Sequence, residues 1–129
     1  MFESLEMSVY LPVAPERVYI AWLDAVEHAA FTGSPALIDP QPGGAFRAWD
    51  GYITGRTLEL DPPRRILQAW RTTEFAPGDP DSLLELLLDP TPRGCRMTLR
   101  HTNLPPGSSA MYAQGWEDYY FALMKEYFA

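Results

Sequence analysis

The sequence predicts an α+β fold in which a curved antiparallel sheet of about six strands wraps around one long C-terminal helix, with two short helices after the first strand. Three observations predict it. Apolar/polar alternations recur from Glu3 to Asn103 and are cut apart by turns rich in proline and glycine. The last twenty residues carry large rings at helical spacing. A twenty-residue helix and a nine-residue strand both reach about 30 Å, so one helix can cover a whole sheet.

The elements follow in order. From Glu3 to Leu11, residues Leu5, Met7, Val9 and Leu11 share one face of a first strand. Pro12 ends it, and Pro15 sits at the first turn of a helix, where its missing donor costs nothing. Val18, Tyr19, Trp22, Leu23, Ala25 and Val26 recur at helical spacing between Glu16 and Ala30. That stretch is long for one short helix, and Asp24 can cap a second, so two helices with a bend near Asp24 are expected. His28 is then expected on the helix surface. Phe31-Thr32-Gly33-Ser34-Pro35 closes the unit.

A meander of strands comes next. Gly43-Gly44 opens Ala45 to Trp49, and Asp50-Gly51 has the form of a tight hairpin turn into Tyr52 to Leu60. Asp61-Pro62-Pro63 stops the ladder because proline has no donor. Ile66 to Thr73, Leu83 to Leu88 and Cys95 to Asn103 follow, separated by Ala76-Pro77-Gly78-Asp79-Pro80 and Pro90-Thr91-Pro92-Arg93-Gly94. Pro105-Pro106-Gly107 ends the sheet, and Ser108 or Ser109 is placed to cap the last helix.

Composition excludes several function classes. The 129 residues suit a single domain spanning 1–129, 47% hydrophobic, with 10 Lys+Arg against 17 Asp+Glu and a formal net charge of −7. No apolar run approaches the ~20 residues of a membrane span, and no signal-peptide pattern opens the chain. A pI near 4.7 argues against a nucleic-acid binder, which needs a basic face. One cysteine excludes an intrachain disulfide framework, so a cytoplasmic location is expected.

Of seventeen aromatic residues, seven fall between Tyr112 and Phe128. Tyr112, Trp116, Tyr119, Tyr120, Leu123 and Tyr127 form a broad stripe of period 3.6. A twisted sheet is concave and cannot close on a helix everywhere. An empty void of about 300 Å³ would cost roughly 7 kcal/mol, against a total stability of about 5–15 kcal/mol. The space must therefore be filled by rings or by a guest. Two features point to a guest: four of the seven aromatics are tyrosines, whose hydroxyls need partners when buried, and the facing strands set His101, Asn103 and Gln68 among apolar residues.

Several stretches together resemble a known family: Ala14-Pro15-Glu16-Arg17-Val18-Tyr19, Pro42-Gly43-Gly44-Ala45-Phe46-Arg47, and Gly55 to Leu60 running into Asp61-Pro62-Pro63-Arg64-Arg65-Ile66. In their order and spacing they are similar to the START-like (SRPBCC) superfamily. Gly94 to Leu104 and Gly115-Trp116 resemble its branch named after the activator of heat-shock protein 90 ATPase homologue. The resemblance covers nearly the whole chain and implies a helix-grip fold with a hydrophobic cavity between sheet and long helix. It implies no single activity, since relatives include lipid carriers and polyketide cyclases. The eukaryotic activator carries a separate N-terminal chaperone-binding domain, for which 129 residues leave no room.

Catalytic and metal chemistry find little foothold. His28 and His101 lie far apart, and Cys95 has no CxxC companion, so no metal or other cofactor is expected. Cys95 alternates with Met97 and Leu99, as a buried inert thiol would. There is no G-x-S-x-G elbow and no phosphate loop. Glu74 could serve as a base only if it faced the cavity, and Glu85 is expected to face solvent. Arg47, Arg56 and Arg71 read as exposed sheet-surface salt bridges.

The expected function is therefore the binding of a small, largely apolar molecule, a lipid or an aromatic compound. Trp70, Met97, Leu99, Tyr112, Trp116 and Tyr119 would supply apolar wall, while His101 and Tyr120 would orient polar atoms. Two alternatives stand beside it: a cyclase- or dehydratase-like enzyme moving a proton through a tyrosine or His101, and a co-chaperone acting on a heat-shock ATPase. A homodimer through an exposed sheet edge is compatible with the sequence but has no motif behind it.

Overall fold

The computed structural model describes residues 1–129. Strands β1 (Glu3–Leu11), β2 (Leu37–Ile38), β3 (Ala45–Ala48), β4 (Ile53–Asp61), β5 (Arg65–Thr72), β6 (Ser82–Thr91) and β7 (Gly94–Leu104) form one sheet in the order β1-β7-β6-β5-β4-β3-β2, antiparallel at every step. The expected architecture is present, with one more strand. The addition is β2, two residues between Pro35 and Pro40 that pair Leu37 with Arg47 and Ile38 with Phe46 at the sheet edge. A segment that short carries no alternation to read.

Helices α1 (Pro15–Leu23) and α2 (Ala25–Thr32) bend apart at Asp24, whose carboxylate accepts from the Glu27 backbone N–H at 2.9 Å. Pro15 opens α1, and Gly33, in the left-handed region at φ 75°, closes α2. The C-terminal rod runs through α3 (Ser109–Trp116), a π-helical segment at Glu117–Phe121, and α4 (Ala122–Tyr127). No helix is long and apolar enough to cross a membrane.

Alternation decides the inner face of the sheet. Ile66, Gln68, Trp70 and Thr72 of β5, Leu84, Leu86 and Leu88 of β6, and Cys95, Met97, Leu99 and His101 of β7 are all buried under the helices. The outer face carries ion pairs: Arg65 with Glu85 and Glu59, Arg71 with Asp81, and Arg100 with Glu6 and Glu85. Arg71 thus matches its expected ion pair, whereas Arg56 donates to the Gly43 carbonyl. Such exposed pairs contribute only about 0–1 kcal/mol each, so the stability resides in the inner face.

The π segment changes which rings are buried. A four-residue step overshoots a 3.6-residue turn by about 40°, so Phe128 would lie about 160° around a regular helix from Tyr112. The extra residue of a π-bulge sets the later part back by about 100°. Tyr112 and Trp116, ahead of the bulge, are buried, and the reset brings Tyr120, Phe121, Met124 and Phe128 onto the same buried face. Regular spacing expects Tyr119, Leu123 and Tyr127 on that face instead. Tyr119 is in fact 58% exposed, and Leu123 and Tyr127 are only partly covered.

The start of the rod differs from expectation too. The Ser108 side chain makes no capping bond to the helix; its hydroxyl donates to the Pro105 carbonyl at 2.6 Å. The cap comes from the other end of the chain, where the Glu3 carboxylate accepts from the Ser109 N–H at 2.9 Å. The Ser109 N–H, with the nearby Gly107 N–H, holds the Glu3 carboxyl below its ordinary pKa.

Candidate functional site

The deep part of the grip is filled by rings. Trp22 of α1 packs against Trp116 at 6.3 Å and Tyr120 at 5.1 Å, and Trp116 lies 5.5 Å from Trp70 and 4.9 Å from Tyr120. The rings are tied together by buried hydrogen bonds that satisfy their polar edges. Trp22 Nε1 donates to Gln68 Oε1 at 3.3 Å, and Gln68 Nε2 donates to Thr57 Oγ1 at 3.2 Å. Gln68 is therefore occupied by the core.

His101 is likewise occupied, and its tautomer can be deduced. Ser82 spends its only proton on the Trp70 carbonyl at 2.6 Å, so at 2.8 Å it must accept from His101 Nε2. His101 Nδ1, without a proton, accepts from Trp116 Nε1 at 3.1 Å. Burial lowers the imidazole pKa to about 3. A neutral ring with its N–H and its lone pair both committed to the core presents neither to a ligand.

His28 is buried rather than on the surface. It donates from Nδ1 to the Trp22 carbonyl at 2.9 Å, which leaves Nε2 to accept from the Tyr120 hydroxyl at 2.9 Å. Burial lowers its pKa to about 4, the Trp22 carbonyl opposing the shift. The same burial raises the Tyr120 phenol, opposed by the nearby Trp49 indole N–H, although that N–H meets no partner in ordinary hydrogen-bond geometry. A signal for His28 exists in the sequence. Once Asp24 restarts the helix, His28, Phe31 and Thr32 stand at i, i+3 and i+4, and all three are buried.

The open space lies at one end of the grip. It is a cleft of about 680 Å³ between the rod and the β3–β4 and β5–β6 connections. Trp49, Tyr52, Ile53, Trp70 and Glu74 line its sheet side. Met111, Tyr112, Gln114, Gly115, Trp116, Asp118, Tyr119 and Tyr120 line its helix side. Of the residues expected around a guest, Trp70, Tyr112, Trp116, Tyr119 and Tyr120 are on this wall. Met97, Leu99 and His101 are sealed in the core with no exposed surface. The rings of Trp70, Tyr112 and Trp116 stand between His101 and the opening.

Sequence reasoning missed Trp49 and Tyr52, and the reason is the turn between β3 and β4. Asp50-Gly51 suggests a two-residue hairpin, yet Ala48 pairs with Ile53 and four residues make the connection. Trp49, Asp50 and Gly51 all have positive φ (52°, 56° and 89°). A tryptophan there is a backbone outlier. The turn swings its indole onto Tyr119 at 5.5 Å, edge to face. Two bulky aromatics flanking Asp-Gly were the available signal.

A polar strip borders the cleft. The Thr72 hydroxyl and Tyr112 hydroxyl are 2.6 Å apart, the Glu74 N–H donates to Thr72 Oγ1 at 3.1 Å, and the Tyr52 hydroxyl donates to the Glu74 carboxylate. Burial raises the pKa of both phenols; donation to Glu74 raises Tyr52 further, while the Thr72 bond opposes the rise at Tyr112. Gly115 leaves a gap in the wall, since a Cβ added there would meet no atom within 4 Å. Cys95 lies far from this chemistry, fully buried, its thiol pushed up to about 11 by burial.

Over 115 residues the chain is 27% identical to the mouse protein Activator of 90 kDa heat shock protein ATPase homolog 1, covering 89% of this chain and 34% of that one. It spans about a third of the length of the curated animal relatives it matches. A crystal structure of an HSP90 activator from Plasmodium falciparum shares the fold with a TM-score of 0.80, at 23% identity, over 92% of this chain and 90% of that one. CalU16 from Micromonospora echinospora superposes with a TM-score of 0.75, at 25% identity, over 94% of this chain and 75% of that one. The profile of the family described as Activator of Hsp90 ATPase homolog 1-like protein matches residues 12–129, and the chain belongs to that family.

Proposed function

We propose that the cleft binds a small, largely apolar molecule, a lipid or an aromatic compound, with Trp70, Tyr112, Trp116, Tyr119 and Tyr120 as its walls. One observation carries the reading: about 680 Å³ of space walled mostly by rings, with a few polar groups at its edges. Small-molecule sites occupy about 300–1,000 Å³ and have this composition. Met97, Leu99 and His101 support the wall from behind, and the bonds already made by His101 and Tyr120 hold Trp116 and His28 in place. Gly115→Phe supplies the test, because it fills the gap from an open position on the rod. Calorimetry and thermal unfolding with a lipid and aromatic panel should find a ligand for the parent, with about 2.7 kcal/mol of added stability at a hundredfold excess over Kd. The variant should bind at least ten-fold more weakly, about 1.4 kcal/mol. A panel that leaves the parent's unfolding unchanged removes the reading.

The match to the mouse ATPase activator favours a second reading, docking onto a heat-shock ATPase. Ile20 on α1 and Val26 on α2 are 58% and 78% exposed and offer apolar contact there. Turnover of a purified chaperone of the 90 kDa class should then change on addition of this chain and revert with Ile20→Glu/Val26→Glu. Unchanged turnover together with separate elution of the two proteins would sink it.

A further inference from the structure

Both charged side chains on the cleft wall are carboxylates. Glu74 stands at the sheet edge and Asp118 at the helix edge, both exposed, and no lysine, arginine or histidine lines the space. Glu74 receives the Tyr52 hydroxyl on Oε2, and Asp118 receives the Gln114 amide on Oδ1. Each keeps a second oxygen without a protein partner. The rings of Trp49, Tyr52 and Tyr119 line the same space, Tyr52 bonded to Glu74 and Trp49 packed on Tyr119, the residue next to Asp118.

Ring faces carry negative potential and attract ammonium groups, and nearby carboxylates add to that attraction. An anionic headgroup would meet repulsion from the same groups and find no cation to pair with. The chain's net charge of −7 acts in the same direction at longer range. Resting on the ligand-binding role of the cleft, we infer that its ligand is an organic cation: an apolar or aromatic body carrying an amine or quaternary ammonium. The nitrogen sits at the mouth between Glu74 and Asp118, and the body lies against Trp70 and Trp116. Free fatty acids and other anionic amphiphiles are thereby disfavoured.

Three probes with one tail separate the possibilities: decyltrimethylammonium, 1-decanol and decanoate, titrated below micelle formation and followed by tryptophan fluorescence and calorimetry. The cation should bind about ten-fold tighter than the alcohol, and decanoate weakest. In Glu74→Gln/Asp118→Asn the cation-to-alcohol ratio should fall to about two-fold. Asp118→Asn alone, on the exposed side of the rod, should lower it by about three-fold even where the double variant folds poorly. Gly115→Phe should abolish cation binding, which surface attraction to an acidic protein would survive. Decanoate binding as tightly as the cation, or a ratio unchanged in both variants, overturns the inference. Equal affinities for all three probes reject it and leave the ligand reading standing; no binding by any probe also rejects it, and the ligand reading then falls only if the lipid and aromatic panel fails as well.

Discussion

At the residue scale, His28 and His101 are each held as neutral rings by one hydrogen bond given and one received. Tyr120→Phe removes the donor to His28 Nε2 and leaves a buried nitrogen unpaired, at a cost of about 1–3 kcal/mol. Tyr119→Phe, at a ring 58% exposed and without a protein hydrogen bond, should stay within about 0.5 kcal/mol of the parent. Urea denaturation of the pair checks this, and equal effects would show that the His28 bond contributes nothing. Gly115 invites the opposite change. It sits in a helix with open space beside it, so Gly115→Ala should stabilise by about 0.5–1 kcal/mol, read as a higher melting temperature.

At the scale of elements, the π segment is an inserted residue, and that has an asymmetric consequence. Deleting Asp118 lets the rod run as a regular helix with Tyr112, Trp116, Tyr120, Met124 and Phe128 still on one face, so the cost should stay below about 2 kcal/mol. Inserting an alanine after Tyr119 rotates Met124 and Phe128 a further 100° or so out of the core and should cost more than about 3 kcal/mol, as losing large buried side chains does. In an ordinary helix both changes would be damaging. Comparable losses for the two variants would show that the segment is not a bulge of this kind.

For the whole molecule, acid is the sensitive direction. Both histidines have folded pKa values below the ordinary 6.5, about 4 for His28 and about 3 for His101. The unfolded chain therefore binds protons that the folded chain refuses, and stability falls as pH drops below about 6.5, by up to about 1.4 kcal/mol per pH unit for each histidine. Glu3 adds to this near pH 4.5 and below: its depressed pKa contributes stability that is present above the unfolded value and lost as pH falls through the folded one. Stability measured by urea between pH 7 and pH 4.5 should decline steeply in the parent. In His101→Gln the decline should be shallower by about one proton's worth. A parallel decline would mean that His101 is charged in the folded protein.

Local residue pattern is enough for most of the framework: the first strand, the Asp24 bend, the strand meander and a terminal rod whose ringed side faces the sheet. Alternation and period 3.6 are properties of neighbouring residues, which is why they are legible in a chain read alone. Trp70, Tyr112, Trp116 and Tyr120 fall on the facing sides of strand and rod by the same two periodicities. What needed the tertiary structure depends on groups distant along the chain. Glu3 caps a helix 106 residues away, His28 finds Tyr120 across 92, and the rings of Trp22, Trp70 and Trp116 fill the centre, leaving the open space at the end beside Trp49 and Tyr52. Periodicity states which side of an element is apolar. Where a π turn resets that side, and where packing stops, is decided only when the elements compete for the same volume.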